Sequence, residues 1–123
     1  RMKIANWKNI VFDLDDMNIF HKIGNYYQAV DAKIYVGKGT QIANGVAIIT
    51  SNHDLEDITV HSEGKDVVIG KECWIASNAV ILPGVHLGDH TIVGAGAVVT
   101  KSFPDGWCVL AGVPAKCIKT IEH

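Results

Sequence analysis

Long apolar runs are missing from this chain: no uncharged apolar stretch approaches the roughly 18 residues that a membrane helix needs, so no membrane span is expected. No one sign of charge dominates either. Eleven basic residues against thirteen acidic ones give a formal charge of −2, which leaves no global field to attract nucleic acid or an anionic membrane. Any anion site has to be local. Cysteine is scarce: Cys73, Cys108 and Cys117 are dispersed and show no CxxC spacing, a pattern that suits a reducing compartment and predicts a cytoplasmic protein. The opening RMKIANWKN has no apolar core of a secretion signal, and Arg1, which precedes Met2, is set aside from the fold argument. With those classes excluded, 123 residues that are 48% hydrophobic fit one domain spanning residues 1–123.

What the chain does have is a beat of six. Within DVVIGKECWIASNAVILPGVHLGDHTIVGAGAVVT (Asp66 to Thr100), steps of six from Ile69 land on Ile75, Ile81, Leu87, Val93 and Val99. Ile, Leu and Val together make 34 of the 123 residues. Six hits in a row in any of six phases would therefore arise by chance on the order of a few times in a thousand, counted as template matches. Two residues earlier stand Val67, Cys73, Ala79, Val85, Thr91 and Ala97, all small or β-branched, and just after come Gly70, Ala76, Leu82, Gly88, Gly94 and Thr100. Successive sixes drift by about 120° around a helix, so no helical face is kept. The pattern fits short strands, whose large and small residues two apart point the same way, joined by tight corners that favour glycine. A hexapeptide period is the signature of a parallel β-helix, in which each short coil stacks on identical neighbours.

The same beat runs upstream through Val36, Ile42 and Ile48, with Ile34, Thr40 and Val46 two before each. From Ile48 to Ile69 is 21 residues, which is not a multiple of six, so a loop near residues 50–66 is inserted between coils. Its sequence, TSNHDLEDITVHSEGKD, carries His53 near its start. Farther upstream, the pairs Ile23-Gly24 and Val30-Asp31 suggest another coil whose phase slips by one; residues 1–20 are left unassigned.

With these blocks in view, the chain resembles the hexapeptide-repeat acyltransferases, among them the maltose, galactoside and serine O-acetyltransferases. ITSNHD, CWIASNAVILPGVHLGD, GAGAVVTKSFPDG and AGVPAKCIKTI follow one another in family order, and the resemblance spans about Ile23 to Ile121. It implies an all-β fold, a left-handed parallel β-helix with three flat sides. Handedness comes from the resemblance alone, since the general rule for parallel crossovers gives right-handed turns. It also implies a homotrimer with active sites between subunits, a state in which flat apolar sides and exposed strand edges are covered. The run after Gly112 is expected to cap one end, as terminal repeats of solenoids do.

The resemblance further implies acetyl-CoA as the donor and a hydroxyl as the acceptor, with no metal. A hydroxyl at neutral pH is a poor nucleophile and needs a base beside it. His53 aligns with the family's catalytic histidine, and imidazole chemistry near neutrality suits the task. Taken alone, a loop histidine is most often merely solvated; the phase break and the flanking blocks turn that expectation over. Its orienting group stays open between Asp54, Glu56, Asp57, a partner from elsewhere and a backbone carbonyl. By the same resemblance, the Ser77 amide serves the oxyanion, Trp74 borders the acceptor pocket, and Asn25 matches an acceptor-site asparagine if a two-residue gap is allowed. Ala76, Gly94, Ala95, Thr100 and Lys101 match positions along the coenzyme, and Lys116 and Lys119 stand where the family often has arginine. Lysine binds phosphate as a point charge without a bidentate fork, and Lys119 could equally be a plain surface lysine.

His61, His86 and His90 raise a metal reading like that of the γ-class carbonic anhydrases, which share the coil. Position matters as much as identity for a zinc ligand: in phase, His86 and His90 point outward, no third ligand has family spacing, and the VTK and GVPAK blocks are foreign to that class. Cys73 fills an inward small position, and no role follows for Cys108 or Cys117. Transfer is expected to be direct, without a covalent cysteine intermediate. The long helical N-terminal extension typical of serine acetyltransferases is not seen, and the short N-terminal stretch does not match the maltose and galactoside enzymes well either; the resemblance to small stand-alone members, which often acetylate sugars of surface polysaccharides or related precursors, implies a sugar hydroxyl as the expected acceptor. The alternatives are a serine-type O-acetyltransferase and a non-catalytic β-helix binding module.

Overall fold

The computed structural model describes residues 3–5, 7–13, 24–60 and 63–123. Ile23, with which the upstream coil was expected to begin, and His61 lie outside the described residues. Among the described residues, fourteen short strands form three sheets, the faces A, B and C of a triangular prism. Face A takes β1 (Lys3–Ala5), β3 (Tyr26–Gln28), β6 (Ala47–Ile49), β9 (Val80–Ile81) and β12 (Val98–Val99), in that order. Face B takes β2 (Ile10–Val11), β4 (Ile34–Val36), β7 (Val67–Ile69) and β10 (His86–Leu87). Face C takes β5 (Gln41–Ile42), β8 (Trp74–Ile75), β11 (Thr91–Val93), β13 (Cys108–Ala111) and β14 (Lys116–Thr120). Every pairing of these strands is parallel except β13 with β14. The chain visits B, C and A in turn, which makes a parallel β-helix.

The positions reached by counting in sixes are the core. Ile69, Ile75, Ile81, Leu87, Val93 and Val99 are all buried, as are Val36, Ile42 and Ile48 and the smaller residues two before each. Register shows the coil length directly: Ile81 pairs with Val99, three hexapeptides farther on, whereas Ile48 pairs with Ile81, nearly twice as far along the chain. The excess over three hexapeptides is the insertion. On face C the small inward positions Thr40, Cys73 and Thr91 are polar, and each finds a carbonyl of the B–C corner. The Thr40 hydroxyl donates to Gly70 O (2.7 Å) and accepts from the Cys73 amide (3.0 Å), the Cys73 thiol lies 3.3 Å from Gly88 O, and Thr91 donates to Gly88 O (2.7 Å). Burial of these groups is tolerated because each is hydrogen-bonded.

Glycine follows the large inward residue at the B–C corners after Val36, Ile69 and Leu87, and once at the C–A corner, at Gly94 after Val93. At Gly37, Gly70 and Gly88, between faces B and C, an added Cβ would run into the backbone of the next coil, at 2.5 Å from Gly70 C and Lys71 N in the case of Gly37. The reason is close approach of stacked backbones; the left-handed conformation falls two residues later, at Gly39, Glu72 and His90.

The coil expected upstream of Val36 departs from the expected phase. Its large inward residue is Tyr27, in register with Ile48, and its small one is Asn25, in register with Val46 by position; Val30 is only half-buried. A search for aliphatic residues six apart passes over an aromatic and an amide doing the same work. Asn25 Nδ2 donates to the Tyr27 hydroxyl (3.0 Å), and Asn25 Oδ1 accepts from the Val46 amide (3.1 Å). Burial pushes the Tyr27 hydroxyl from its ordinary 10.0 up to about 12, with the Asn25 contact opposing the shift. The folded state therefore favours the neutral phenol. The associated stability, up to about 3 kcal/mol, is present below pH 10 and is lost as pH rises from 10.0 to about 12. Urea midpoints measured across that window should fall steeply in the native chain and much less in Tyr27→Phe.

The C-terminal run caps as expected, in a particular way. Strand β14 turns back antiparallel onto β13 and covers the edge of face C, with a register shift between Val109 and Leu110. It is fastened by the Ile121 amide to Trp107 O (2.7 Å). The indole of Trp107 lies between the rings of His90 and His123, each centroid 3.8 Å away.

Candidate active site

The inserted loop leaves the prism at the A–B edge. Its outgoing stem is fixed by Thr50, fully buried, whose amide donates to Gln28 O (3.1 Å) and whose hydroxyl lies 3.0 Å from both Gln28 O and Val30 O. The next amide, of Ser51, donates to Gln28 Oε1 (3.1 Å). The returning stem closes through the Lys65 amide to Thr50 O (2.8 Å). Gly64 packs there so closely on Val30 and Asp31 that a Cβ would sit 2.7 Å from Asp31 O. Two residues beyond the anchored Ser51, His53 is exposed.

The tip beyond His53 braces itself. The Asp54 amide donates to Val60 O (2.7 Å), and Asp54 Oδ1 accepts from the amides of Glu56 (2.8 Å) and Asp57 (3.2 Å). Asp57 Oδ1 accepts from the Thr59 hydroxyl (2.6 Å) and amide (3.0 Å), which hold its carboxyl below the usual range. Of the three neighbouring acids that could steady the imidazole, two thus have carboxylates engaged in shaping the loop. The tip shows Leu55, Ile58 and Val60 to solvent, Leu55 almost completely.

The other expected residues divide between two edges. Thr100 and Lys101 lie at the A–B edge two corners along from the loop, with Lys101 Nζ 5.6 Å above the Phe103 ring. Trp74, by contrast, stands on the outside of face C, half-exposed, in a straight row with Gln41, Ile92, Val109 and Lys119. Beside that row runs the C–A corner, where the Gly94 amide donates to Leu110 O (2.8 Å), the Ala76 amide to Val93 O (2.9 Å) and the Ala43 amide to Ile75 O (2.9 Å). Ala43, Ala76, Gly94 and Ala111 therefore form a lane of minimal side chains. Ser77 and Ala95 occupy the next position of the same corner; the Ser77 carbonyl accepts from Gly96 (2.9 Å), and its amide has no acceptor among the described residues. Below, a groove of about 470 Å³ is lined by Ile92, Val109, Lys119, Thr120, Ile121 and Glu122. Lys116 is exposed opposite Ala111.

Asn25 needs a correction of place. It is 1% exposed, and both ends of its amide are used inside the coil, so within one chain it offers no polar atom to an acceptor. Gln41, Ile92, Val109 and Ala111 belong to the face C row and lane yet were not picked out from sequence; the signal that could have found them is the full-coil register that aligns them with Trp74 and Gly94. His86 points outward from face B, opposite Val68, while His90 is half-buried against Trp107. Among the described residues no three His, Cys, Asp or Glu side chains come together to hold a metal.

Comparison with known proteins agrees with this architecture. Residues 66–101 match the family described as bacterial transferase hexapeptide (six repeats). The galactoside O-acetyltransferase of Escherichia coli K12 is 35% identical over 96 residues, covering 75% of this chain and 46% of that protein. A protein of Lysinibacillus sphaericus named "Probable macrolide acetyltransferase" is 31% identical over 121 residues, 81% of this chain and 67% of that one. A solved galactoside acetyltransferase in complex with coenzyme A superposes with a TM-score of 0.81 at 27% identity, over 98% of this chain and 60% of the other. The prism is a left-handed parallel β-helix, as the resemblance implied. The chain spans about half the length of most curated relatives it matches.

Proposed function

The chain belongs to the hexapeptide-repeat acetyltransferases, and from that membership we propose that it transfers acetyl from acetyl-CoA to a hydroxyl of a sugar or saccharide precursor. The observation that carries the reading is the inserted loop: the one interruption among the described coils of faces A, B and C between Ile34 and Val99 is an anchored stem that holds His53 out to solvent. His53 takes the proton of the acceptor hydroxyl as its oxygen attacks the thioester carbonyl. The Ser77 amide donates to the oxyanion that forms. Collapse breaks the carbon–sulfur bond, and the imidazolium returns the proton to the departing thiolate, leaving coenzyme A and the acetyl ester.

The row from Trp74 to Lys119 supports the coenzyme assignment. Three interstrand steps of about 4.8 Å make a track of about 14 Å, flanked by the Ala76–Gly94–Ala111 lane where a pantetheine arm can lie against bare backbone. Lys119 and Lys116 stand at its far end, where phosphates need cations.

Because the loop and the row sit at different edges of one prism, the complete site takes two chains. A cyclic trimer joins unlike surfaces head to tail, setting the loop edge, with Thr100 and Lys101, against the face C row of a neighbour. Thiol release from acetyl-CoA over a panel of sugars and amino acids tests the activity; no transfer to any acceptor would leave a binding module. Subunit mixing tests the shared site. His53→Ala and Trp74→Ala chains, each inactive alone, should regain about a quarter of native turnover after random exchange at equal amounts and at most about a third, because a mixed cyclic trimer holds one intact shared site of three. No recovery after proven exchange would place the whole site within one chain.

A further inference from the structure

We propose that Cys108 and Cys117 are a redox pair: exchange with a low-molecular-weight disulfide closes them into a disulfide bond that clasps the cap strand β14 to β13. The inference stands apart from the acetyl-transfer reading. Cys108 opens β13 facing inward, in register with the buried Thr91 of the coil before. Cys117 lies opposite Leu110, which also faces inward, so both thiols belong to the same side of the β13–β14 pair. They are diagonal neighbours there, with the register shift between Val109 and Leu110 falling between them. Cys117 Sγ lies 3.4 Å from Lys119 O, so its side chain leans along β14 toward Thr120, the residue opposite Cys108. Cys108, Cys117 and Thr120 accordingly line one cavity of about 320 Å³, together with Phe103 and Pro104. Burial pushes the Cys108 thiol up, and the Cys117 thiol beside it pushes it further the same way. Cys73 is out of reach, because it stands one residue before the Trp74–Ile92 pairing, with Thr91 between it and Cys108. Two interstrand steps of about 4.8 Å exceed the roughly 7 Å that a disulfide spans between Cα atoms. The strand that shifts to make the Cys108–Cys117 bond is an edge: β14 pairs only with β13, and all five of its residues are exposed.

The two thiols take different parts in the exchange. Cys117, exposed, attacks as its thiolate, breaks the sulfur–sulfur bond of the incoming disulfide and releases one small thiolate, which takes up the Cys117 proton. Cys108 then attacks Cys117 Sγ. The protein disulfide forms, the mixed bond breaks, and the second small thiolate leaves with the Cys108 proton. Two protein thiols are oxidised, and one small disulfide is reduced to two thiols.

Oxidised glutathione is the probe, applied to the reduced native chain under anaerobic conditions and quenched in acid. Thiols titrated in denaturant should fall from the three of the sequence to one. The intact mass should drop by two hydrogens, and proteolysis should yield a single linked pair of peptides, carrying Cys108 and Cys117, that separates on reduction. Cys108→Ser should stop at the mixed disulfide, heavier by one glutathionyl group on Cys117, and Cys117→Ser should keep both of its thiols. Closing a loop of about ten residues should also raise the thermal midpoint of the oxidised native chain by about 5 °C or more over the reduced one. A native chain that stays at the Cys117 mixed disulfide, joins two copies through Cys117 or links Cys73 instead would overturn the pair. A chain with all its thiols still titratable would do the same. A midpoint unchanged or lowered by oxidation would overturn the clasp.

Discussion

His53→Ala should lower kcat for acetyl transfer by about a hundredfold to ten-thousandfold, the usual contribution of a positioned general base. The fold should be untouched, because the imidazole is exposed and the stem is held by Thr50, Ser51 and Lys65 instead. KM for acetyl-CoA should stay within about twofold, since removing a group that acts on the acceptor proton costs the transition state and spares donor binding. Thiol release measured with and without acceptor separates transfer from slow hydrolysis. Equal transfer rates in native and variant protein would end the assignment.

Ile75→Ala should cost about 2–5 kcal/mol, the range for large-to-small changes in a core that cannot close over the gap. Ile75 is fully buried and lies in register between Ile42 and Val93. Its own carbonyl accepts from the Ala43 amide, and the Ala76 amide donates to Val93 O, both at 2.9 Å. These bonds hold the coils at the interstrand spacing of about 4.8 Å, so the walls of the cavity cannot move inward. Ile118→Ala is the matched control, because that side chain is 66% exposed on β14 and should change stability by less than about 0.5 kcal/mol. Urea denaturation of the two variants checks both figures, and a loss below about 1 kcal/mol for Ile75→Ala would mean that the core is softer than its ladder bonds require.

The core could be read along the chain because each inward position repeats at a fixed interval and each interval has one steric demand. Ile69 through Val99 follow that rule without exception. Tyr27 and Asn25 do not, because a phenol and a carboxamide bonded to each other fill an inward pair as well as two aliphatic groups can. Their hydrogen bond is invisible until both side chains are known to face inward. The corner glycines were legible as corners, yet the reason for Gly37, Gly70 and Gly88 was not: crowding by the next coil is a contact between residues far apart in sequence.

By itself the sequence determined the hexapeptide coil, its inward residues, the position of the insertion and the histidine that the insertion carries, since all of these are consequences of local period. Tertiary structure alone decided where those pieces stand relative to one another. It set His53, Thr100 and Lys101 at one edge and Trp74, Ser77, Gly94 and Lys119 along another face and corner, buried Asn25, and brought Gln28 to the root of the loop. Full coils, with and without the insertion, bring distant positions into register through backbone hydrogen bonds, and a triangular cross-section turns successive sixes away from one another. Residues that are neighbours in the chain are thereby sent to different faces, and residues a full coil apart become neighbours.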